Sequence, residues 1–242
     1  KYQFMFKPGK KYIGGFSTND GTIDFYLRVR SLLNGGEHIV DYGAGRGSWY
    51  EDDECKTRVK LRDFRDIAAS VIAIDVDSAV FQHRASTEQK QIIDGYTMLD
   101  DASIDCIVSD FVLEHVDDVK KFTSEIDRIL KPGGWFCART PHARSYVAII
   151  SSLISNRYHS KLLRFIQPTR KEVDVFPTKY KLNSIYDLNA AFSGWENCSL
   201  VYGTEPAYFL GKKTIFKFMN TLHALLPSKF SGNLFVFMRK PK

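Results

Sequence analysis

The segment His38-Ile-Val-Asp-Tyr-Gly-Ala-Gly-Arg-Gly47 joins a short apolar run, an acid at its end and glycines at every second position. Glycines there let the backbone turn sharply after a strand and let a ligand approach without a Cβ in the way. Gly43, Gly45 and Gly47 form GxGxG, not the GxGxxG that carries a pyrophosphate on a helix N-terminus, so the loop suits a ligand without phosphates. A second apolar run, Val71-Ile-Ala-Ile-Asp75, also ends in a carboxylate, which can accept two hydrogen bonds from ribose hydroxyls. Asp77 is the rival for that task and is better suited to capping a helix that begins at Ser78. In a third run, Gln91-Ile-Ile-Asp94, the acid stands where an adenine amino group could donate to it, and Asp94-Gly95 reads equally as a plain turn.

Three such acids need three strand tips side by side. Strand-like runs occur at Glu37–Asp41, Val71–Asp75, Gln91–Asp94, Ile104–Ser109 and Gly134–Arg139, each short, apolar and rich in Val, Ile or aromatics. Helix-like stretches fall at Ile23–Leu33 and at Val119–Leu130, where Val119, Phe122, Ile126, Ile129 and Leu130 recur at helical spacing. Lys131-Pro-Gly-Gly134 stops the second helix and turns the chain. The alternation predicts an α/β fold, a mostly parallel sheet with helices on both faces. Two later strands, near Leu200–Tyr202 and Asn233–Met238, come without a clean crossover helix and suit an antiparallel pair at one sheet edge. The charge-dense stretch between Trp49 and Ser70 predicts a helix plus a surface insertion that serves solvation.

At 242 residues and 44% hydrophobic content the chain can bury one sizeable core. It reads as a single domain over residues 1–242: an arm or lid (1–22), a ligand-binding core (23–142), a substrate cap (143–199), and terminal strands with a basic helix (200–242). No run approaches the roughly 18 to 20 apolar residues of a membrane span. Lys1–Lys11 mixes aromatic and basic side chains without the apolar centre of a secretory signal, so a cytoplasmic protein is expected. Cys55, Cys106, Cys137 and Cys198 show neither CxxC spacing nor a Cys/His cluster, which argues for plain thiols over disulfides or zinc. The net charge of +6 is uneven: residues 1–142 hold 19 Lys+Arg against 23 Asp+Glu, and residues 143–242 hold 15 against 5. The basic part favours phosphates, nucleic acid or acidic lipid head groups, against the competing reading of a solvated face.

In order along the chain stand the glycine loop after Asp41, Asp75, Asp94 ahead of Leu99-Asp-Asp-Ala-Ser-Ile-Asp105, Cys106-Ile-Val-Ser-Asp-Phe-Val-Leu-Glu-His115, and Ile129-Leu-Lys-Pro-Gly-Gly-Trp135. Together they resemble the class I S-adenosylmethionine-dependent methyltransferases, in particular the methyltransferase type 11 group, over roughly Val29 to Arg139. The resemblance implies a Rossmann-like, seven-stranded sheet with an antiparallel edge strand, and S-adenosylmethionine as cofactor. It places methionine near Asp41, Gly43, Ala44, Gly45 and Gly47, ribose at Asp75 and Val76, adenine at Asp94 and Gly95, and the backbone of Ser109, Asp110 and Phe111 close to the sulfonium. Relatives that methylate quinone precursors are similar at Leu113-Glu-His115 but hold a divalent metal with a further acid three positions before the Glu. That position is Phe111 here, with Asp110 one residue out of register, so no metal is expected. The Asn/Asp-Pro-Pro-aromatic signature of amino-methylating DNA enzymes is replaced by Ser109-Asp-Phe-Val112, and no DNA partner is expected.

Such a protein transfers a methyl group to an O or N atom of a small, anionic or sugar-linked acceptor. Because ligands of open α/β sheets bind outside the carboxyl ends of the strands, the candidate bases are His142, just past the fifth strand, and His115 with Glu114, just past the fourth. Bracing of a helix or loop is the competing role for each. Arg139, Tyr146, His159, Arg170 and Tyr180 are candidate acceptor contacts, with Arg170 as a fork donor to an anion. The basic, aromatic-rich stretch Tyr208–Leu226 would rest on the sheet edge or, alternatively, touch a membrane surface. Two other classes compete. An RNA-binding or RNA-methylating module would use the basic half as a phosphate track. A nicotinamide-dependent oxidoreductase or epimerase would want GxGxxG and Tyr-xxx-Lys, whereas Tyr158-His-Ser-Lys161 has the wrong spacing.

Overall fold

In β1 (His38–Tyr42), β2 (Ser70–Asp75), β4 (Ile104–Asp110) and β5 (Leu130–Pro141), successive apolar residues are buried on both faces, as a parallel sheet covered by helices requires. The computed structural model describes residues 6–146, 148–149, 177–206 and 211–242. Its sheet has eight strands in the order β3-β2-β1-β4-β5-β8-β6, with β7 also paired to β8. Here β3 is Glu88–Gln91, β6 Glu196–Asn197, β7 Leu200–Tyr202 and β8 Asn233–Arg239. The first five strands are parallel; β6, β7 and β8 pair antiparallel. These are the seven expected strands plus the two-residue β6. The third strand lies three residues earlier than expected.

Strand alternation splits the core in two. Val40, Tyr42, Ile72, Ile74, Ile107 and Phe136 face α4 (Val119–Ile129) and the helix α5 (Ile185–Ala191). Ile39, Val71, Cys106, Val108, Cys137 and Phe235 face α1 (Gly21–Ser31) through Phe25, Tyr26 and Val29. Helices α1 and α4 each start at an aspartate: Asp20 accepts from the N–H groups of Thr22 and Ile23, and Asp118 from that of Lys121. Such caps are worth about 1 kcal/mol each. Two short helices, α2 (Trp49–Asp52) and α3 (Lys56–Arg62), follow β1, and α6 (Lys213–Leu225) with α7 (Ser228–Ser231) precede β8.

The charge-dense stretch between Trp49 and Ser70 does more than meet water, contrary to expectation. Arg58 pairs with Asp53 and, at 2.7 Å, with the cap residue Asp20. Arg62 lies over the Trp49 ring and reaches Asp110 at 3.4 Å. This stretch therefore fastens the start of α1 and the end of β4 to one another. Arg30, from α1, closes the other side on Asp66 and on three backbone carbonyls.

Candidate functional site

The strand order reverses between β1 and β4, so their carboxyl ends splay and open a crevice. The glycine loop forms its floor. Gly43, Gly45 and Gly47 have φ of +74°, +54° and +65°, the left-handed region that side chains disfavour. Two of them also lack room: a Cβ on Gly43 would lie 2.3 Å from Val112 Cγ2, and one on Gly47 2.5 Å from His83 Cδ2. At Gly45 the space is open. The N–H groups of Gly43 and Ala44 donate to the Ile74 carbonyl, and that of Gly47 to Ala44. The amides of Gly43, Ala44 and Gly47 are thus spent on holding the loop's shape, and what it offers a ligand is bare backbone over Gly45.

Asp75 ties this loop to the tip of β2. Its Oδ2 accepts from the Gly45 N–H at 2.8 Å and its Oδ1 from the Asp77 N–H at 2.8 Å. Each oxygen keeps a lone pair for another donor. Burial raises the carboxyl's pKa above the ordinary aspartate value, the two N–H bonds opposing it. Asp77 caps the turn that follows, accepting from the Ala79 N–H. Val76 between them is 59% exposed, an apolar side chain left beside the crevice.

The Asp75 carbonyl accepts from the Ile92 N–H, which brings the end of β3 alongside. Ile93 and Tyr96 then exchange backbone hydrogen bonds around Asp94 and Gly95, whose φ values are +49° and +74°. The pair is a tight two-residue turn, and the Asp94 side chain is exposed at its corner. Asp41, at the end of β1, has its carboxylate 3.6 Å from Nε2 of the buried His83. From β4, the Ser109 hydroxyl donates to the Tyr42 carbonyl. Phe111, with φ +59° and 40% exposed, has its N–H bonded to the Arg139 carbonyl.

Asp110 and Arg139 turn away from that crevice, toward α1. Arg139 donates through Nε and an NH2 group to the two oxygens of Asp110, and through the other amino group to Thr22. Tyr26 also donates to Asp110. Arg139 is buried and the Asp110 side chain is only 10% exposed; dehydration pushes the Asp110 carboxyl up, and the guanidinium beside it more than offsets this and holds it below the usual range. Arg139, expected at the acceptor, thus has three of its five donors committed inside the protein, and its guanidinium is stacked over Phe111. Asp110, whose backbone is the part expected near the sulfonium, spends its carboxylate on the same pair.

The candidate bases gather where the segment after β5 leaves and rejoins the sheet. Buried Glu114 accepts from the Thr140 hydroxyl at 2.8 Å, and Thr140 accepts from Asn183 Nδ2 at 2.6 Å. The Glu114 carbonyl accepts from the N–H groups of Lys179 and Tyr180, and His115 Nδ1 meets the Pro177 carbonyl. His142 is buried, accepts from the Arg144 N–H, and burial lowers its pKa below the ordinary histidine value. The Ala143 N–H donates to the Asn183 carbonyl, closing the base of the insertion. Tyr146 stands edge-on to His223 of α6. His159 and Arg170 lie outside the described residues.

His83, Thr140, Asn183, Arg62 and Tyr26 were not singled out from the sequence. A lone His, Asn or Tyr carries no pattern of its own. Arg62, Tyr26 and Asn183 lie in stretches expected to be a solvated insertion, a helix and a cap, and none of those expectations names the partner that each side chain finds.

Residues 41–138 match the family model described as a methyltransferase domain. A probable S-adenosylmethionine-dependent methyltransferase of Mycolicibacterium smegmatis is 41% identical over 81 residues, 32% of this chain and 32% of that protein. The mitochondrial ubiquinone biosynthesis O-methyltransferase of Dictyostelium discoideum is 24% identical over 163 residues, 64% of this chain and 49% of that protein. The chain therefore spans about a third to a half of the length of these curated relatives. Among solved structures, an S-adenosylmethionine-dependent methyltransferase from Mesorhizobium loti superposes with a TM-score of 0.54 at 17% identity, covering 88% of this chain and 96% of that one.

Proposed function

We propose, from the premise that this chain carries a class I S-adenosylmethionine-dependent methyltransferase domain, that it transfers the methyl group of S-adenosylmethionine to an O or N atom of a small acceptor. The observation that carries the reading is the Asp75–Gly45 bond, which sets a buried carboxylate with spare lone pairs beside a stretch of backbone no side chain covers. Those features fit the cofactor. Asp75 and Val76 would hold the ribose, Asp41 with Gly43, Ala44, Gly45 and Gly47 the methionine end, and Asp94 and Gly95 the adenine edge. Ile93, 59% exposed, adds an apolar surface on which a base can rest. Ser109 and Phe111 would line the sulfonium side, with Asp110 setting their strand end from behind.

Bound S-adenosylmethionine supplies an already activated methyl on a sulfonium. The chain's own work is to align the acceptor and keep water away, which can be worth on the order of 7 to 11 kcal/mol. His142 is the proposed base: its lowered pKa keeps the imidazole neutral near pH 7, and Nδ1 takes a proton on releasing the Arg144 N–H that it accepts from. Glu114 and His115 would then brace the acceptor side through the strand ends they hold, with Tyr180, Tyr146, His159 and Arg170 toward the acceptor. Cytoplasmic residence and an anionic or sugar-linked acceptor belong to the same proposal; the basic charge of residues 143–242 supports the latter.

Calorimetry tests it. The chain is expected to bind S-adenosylmethionine and not NAD, and binding of NAD alone would overturn the reading.

A further inference from the structure

From Pro206 to Lys242 the chain contains seven Lys or Arg and neither Asp nor Glu. Helix α6 lies within it and begins with Lys212 and Lys213, with no acid in the first turn. Cations there oppose the helix dipole, so local helix stability does not account for them. The N-terminal arm adds another: Phe6 packs its ring on Phe216 of α6 and bonds to the Gly211 carbonyl, and Lys11 comes close enough to Lys213 and Lys217 for their charges to act on it. Slight dehydration, then those two like charges, hold the Lys11 ammonium below its ordinary pKa. Like charges crowded together await an anion.

The same helix carries apolar side chains on its outer side. Phe216 is buried inward, whereas Phe218 is 68% and Leu225 78% exposed, separated by the roughly two turns that place them on one stripe with Thr214, Lys217 and Thr221. On the arm, two residues past Lys11, Ile13 is fully exposed. Lysines bordering an outward phenylalanine and leucine match a helix lying in the head-group layer of a bilayer, its apolar side chains below the phosphates and its ammonium groups among them. A nucleic-acid backbone would answer the lysines but leaves no use for the aliphatic Ile13 and Leu225.

We propose that α6, with the arm around Lys11 and Ile13, docks this protein on an anionic lipid surface. The inference stands independently of the methyl-transfer reading. It has a geometric consequence for that site. The strand after α6 begins at Asn233 opposite Pro141, the last residue of β5, and His223 of α6 bonds to the Thr204 carbonyl and the Tyr146 hydroxyl. Docking through α6 therefore sets the crevice-bearing edge of the sheet beside the membrane.

Co-sedimentation of the 242-residue chain with phosphatidylcholine vesicles, with and without 30% phosphatidylglycerol, tests it. Binding is expected only to the anionic vesicles and is expected to weaken with salt. Each lysine near such a surface is worth roughly five-fold in partition, so Lys213→Gln with Lys217→Gln should lose more than ten-fold. Phe218→Ser with Leu225→Ser, which leaves every charge in place, should also lose at least ten-fold. The altered side chains are exposed, so unchanged far-ultraviolet circular dichroism and thermal midpoint will show that the variants fold. The proposal is overturned if the chain ignores anionic vesicles at low salt. It is equally overturned if the serine variant binds as well as the parent, or if binding goes to RNA in preference to vesicles, which would make the lysines a polyanion track.

Discussion

Asp110 and Arg139 stand directly opposite one another on the parallel strands β4 and β5, and the carboxylate and guanidinium meet through two hydrogen bonds of 2.8 Å. Such a pair is a specific clamp between two strand ends rather than a surface contact. Breaking a buried pair by removing one partner typically costs 3–5 kcal/mol, because the other charge is stranded.

Asp110→Asn is accordingly expected to lower unfolding free energy in urea by about 3 kcal/mol, and replacement of both residues by apolar ones of like size should restore much of it. The pH dependence has a definite sign. The folded Asp110 carboxyl titrates below its unfolded value, so the unfolded chain binds the extra proton between the two. Its stabilisation is full above about pH 4, the ordinary aspartate value, and fades as pH falls through the folded pKa. Asp110→Asn should flatten that acid limb; an unaltered limb would remove Asp110 as its source.

Asp75→Ala deletes the carboxylate that braces Gly45 and is proposed to hold the ribose. With charge-assisted hydrogen bonds worth about 1.5–3 kcal/mol each, affinity for S-adenosylmethionine should drop by ten-fold to a hundred-fold or more in calorimetry. Unchanged affinity would reassign the ribose contact.

Two glycines separate packing from binding. Gly43→Ala meets Val112 and a disfavoured φ together, so it should cost stability as well as cofactor affinity. Gly45→Ala meets only the φ penalty, about 1–2 kcal/mol, and places a methyl group in the open crevice. Thermal melts with and without S-adenosylmethionine should show the second variant folded but poorly stabilised by ligand. Full ligand-induced stabilisation of Gly45→Ala would mean the crevice is not the cofactor's place.

For His142, the imidazole must be neutral to accept a proton, and its pKa lies below the ordinary value near 6.5. Once an acceptor is found, kcat/KM should stay level down to about that pH and fall on the acid side, and His142→Gln should abolish the limb with a loss of roughly 10²–10⁴ in rate. A limb that persists in the variant belongs to another group.

Much of this was legible because the sheet's chemistry is written locally. An apolar run, its terminal acid and the glycines after it are neighbours in sequence, so Asp41, Asp75 and the loop could be read together. The third strand slipped because Glu88–Gln91 is polar, as an edge strand facing water can be, while the apolar Ile92 and Ile93 draw the eye although Ile93 already belongs to the turn. Long-range pairs were beyond reach. Nothing near Arg62 announces Asp110, 48 residues away, and nothing near Asn183 announces Thr140. Arg139, the last residue of the expected fifth strand, is a candidate acceptor contact by sequence, but strand alternation sends its side chain to the α1 face, where Asp110 waits.

The Ala143–Asn183 bond has an evolutionary corollary. Because the two stems of that excursion already touch, at 2.8 Å, the stretch between them can lengthen, shorten or be exchanged for another at a loop-closure cost that grows only with the logarithm of its length. The sheet and its glycine loop then serve as a fixed chassis, while whatever the excursion recognises is free to diversify from one descendant to the next.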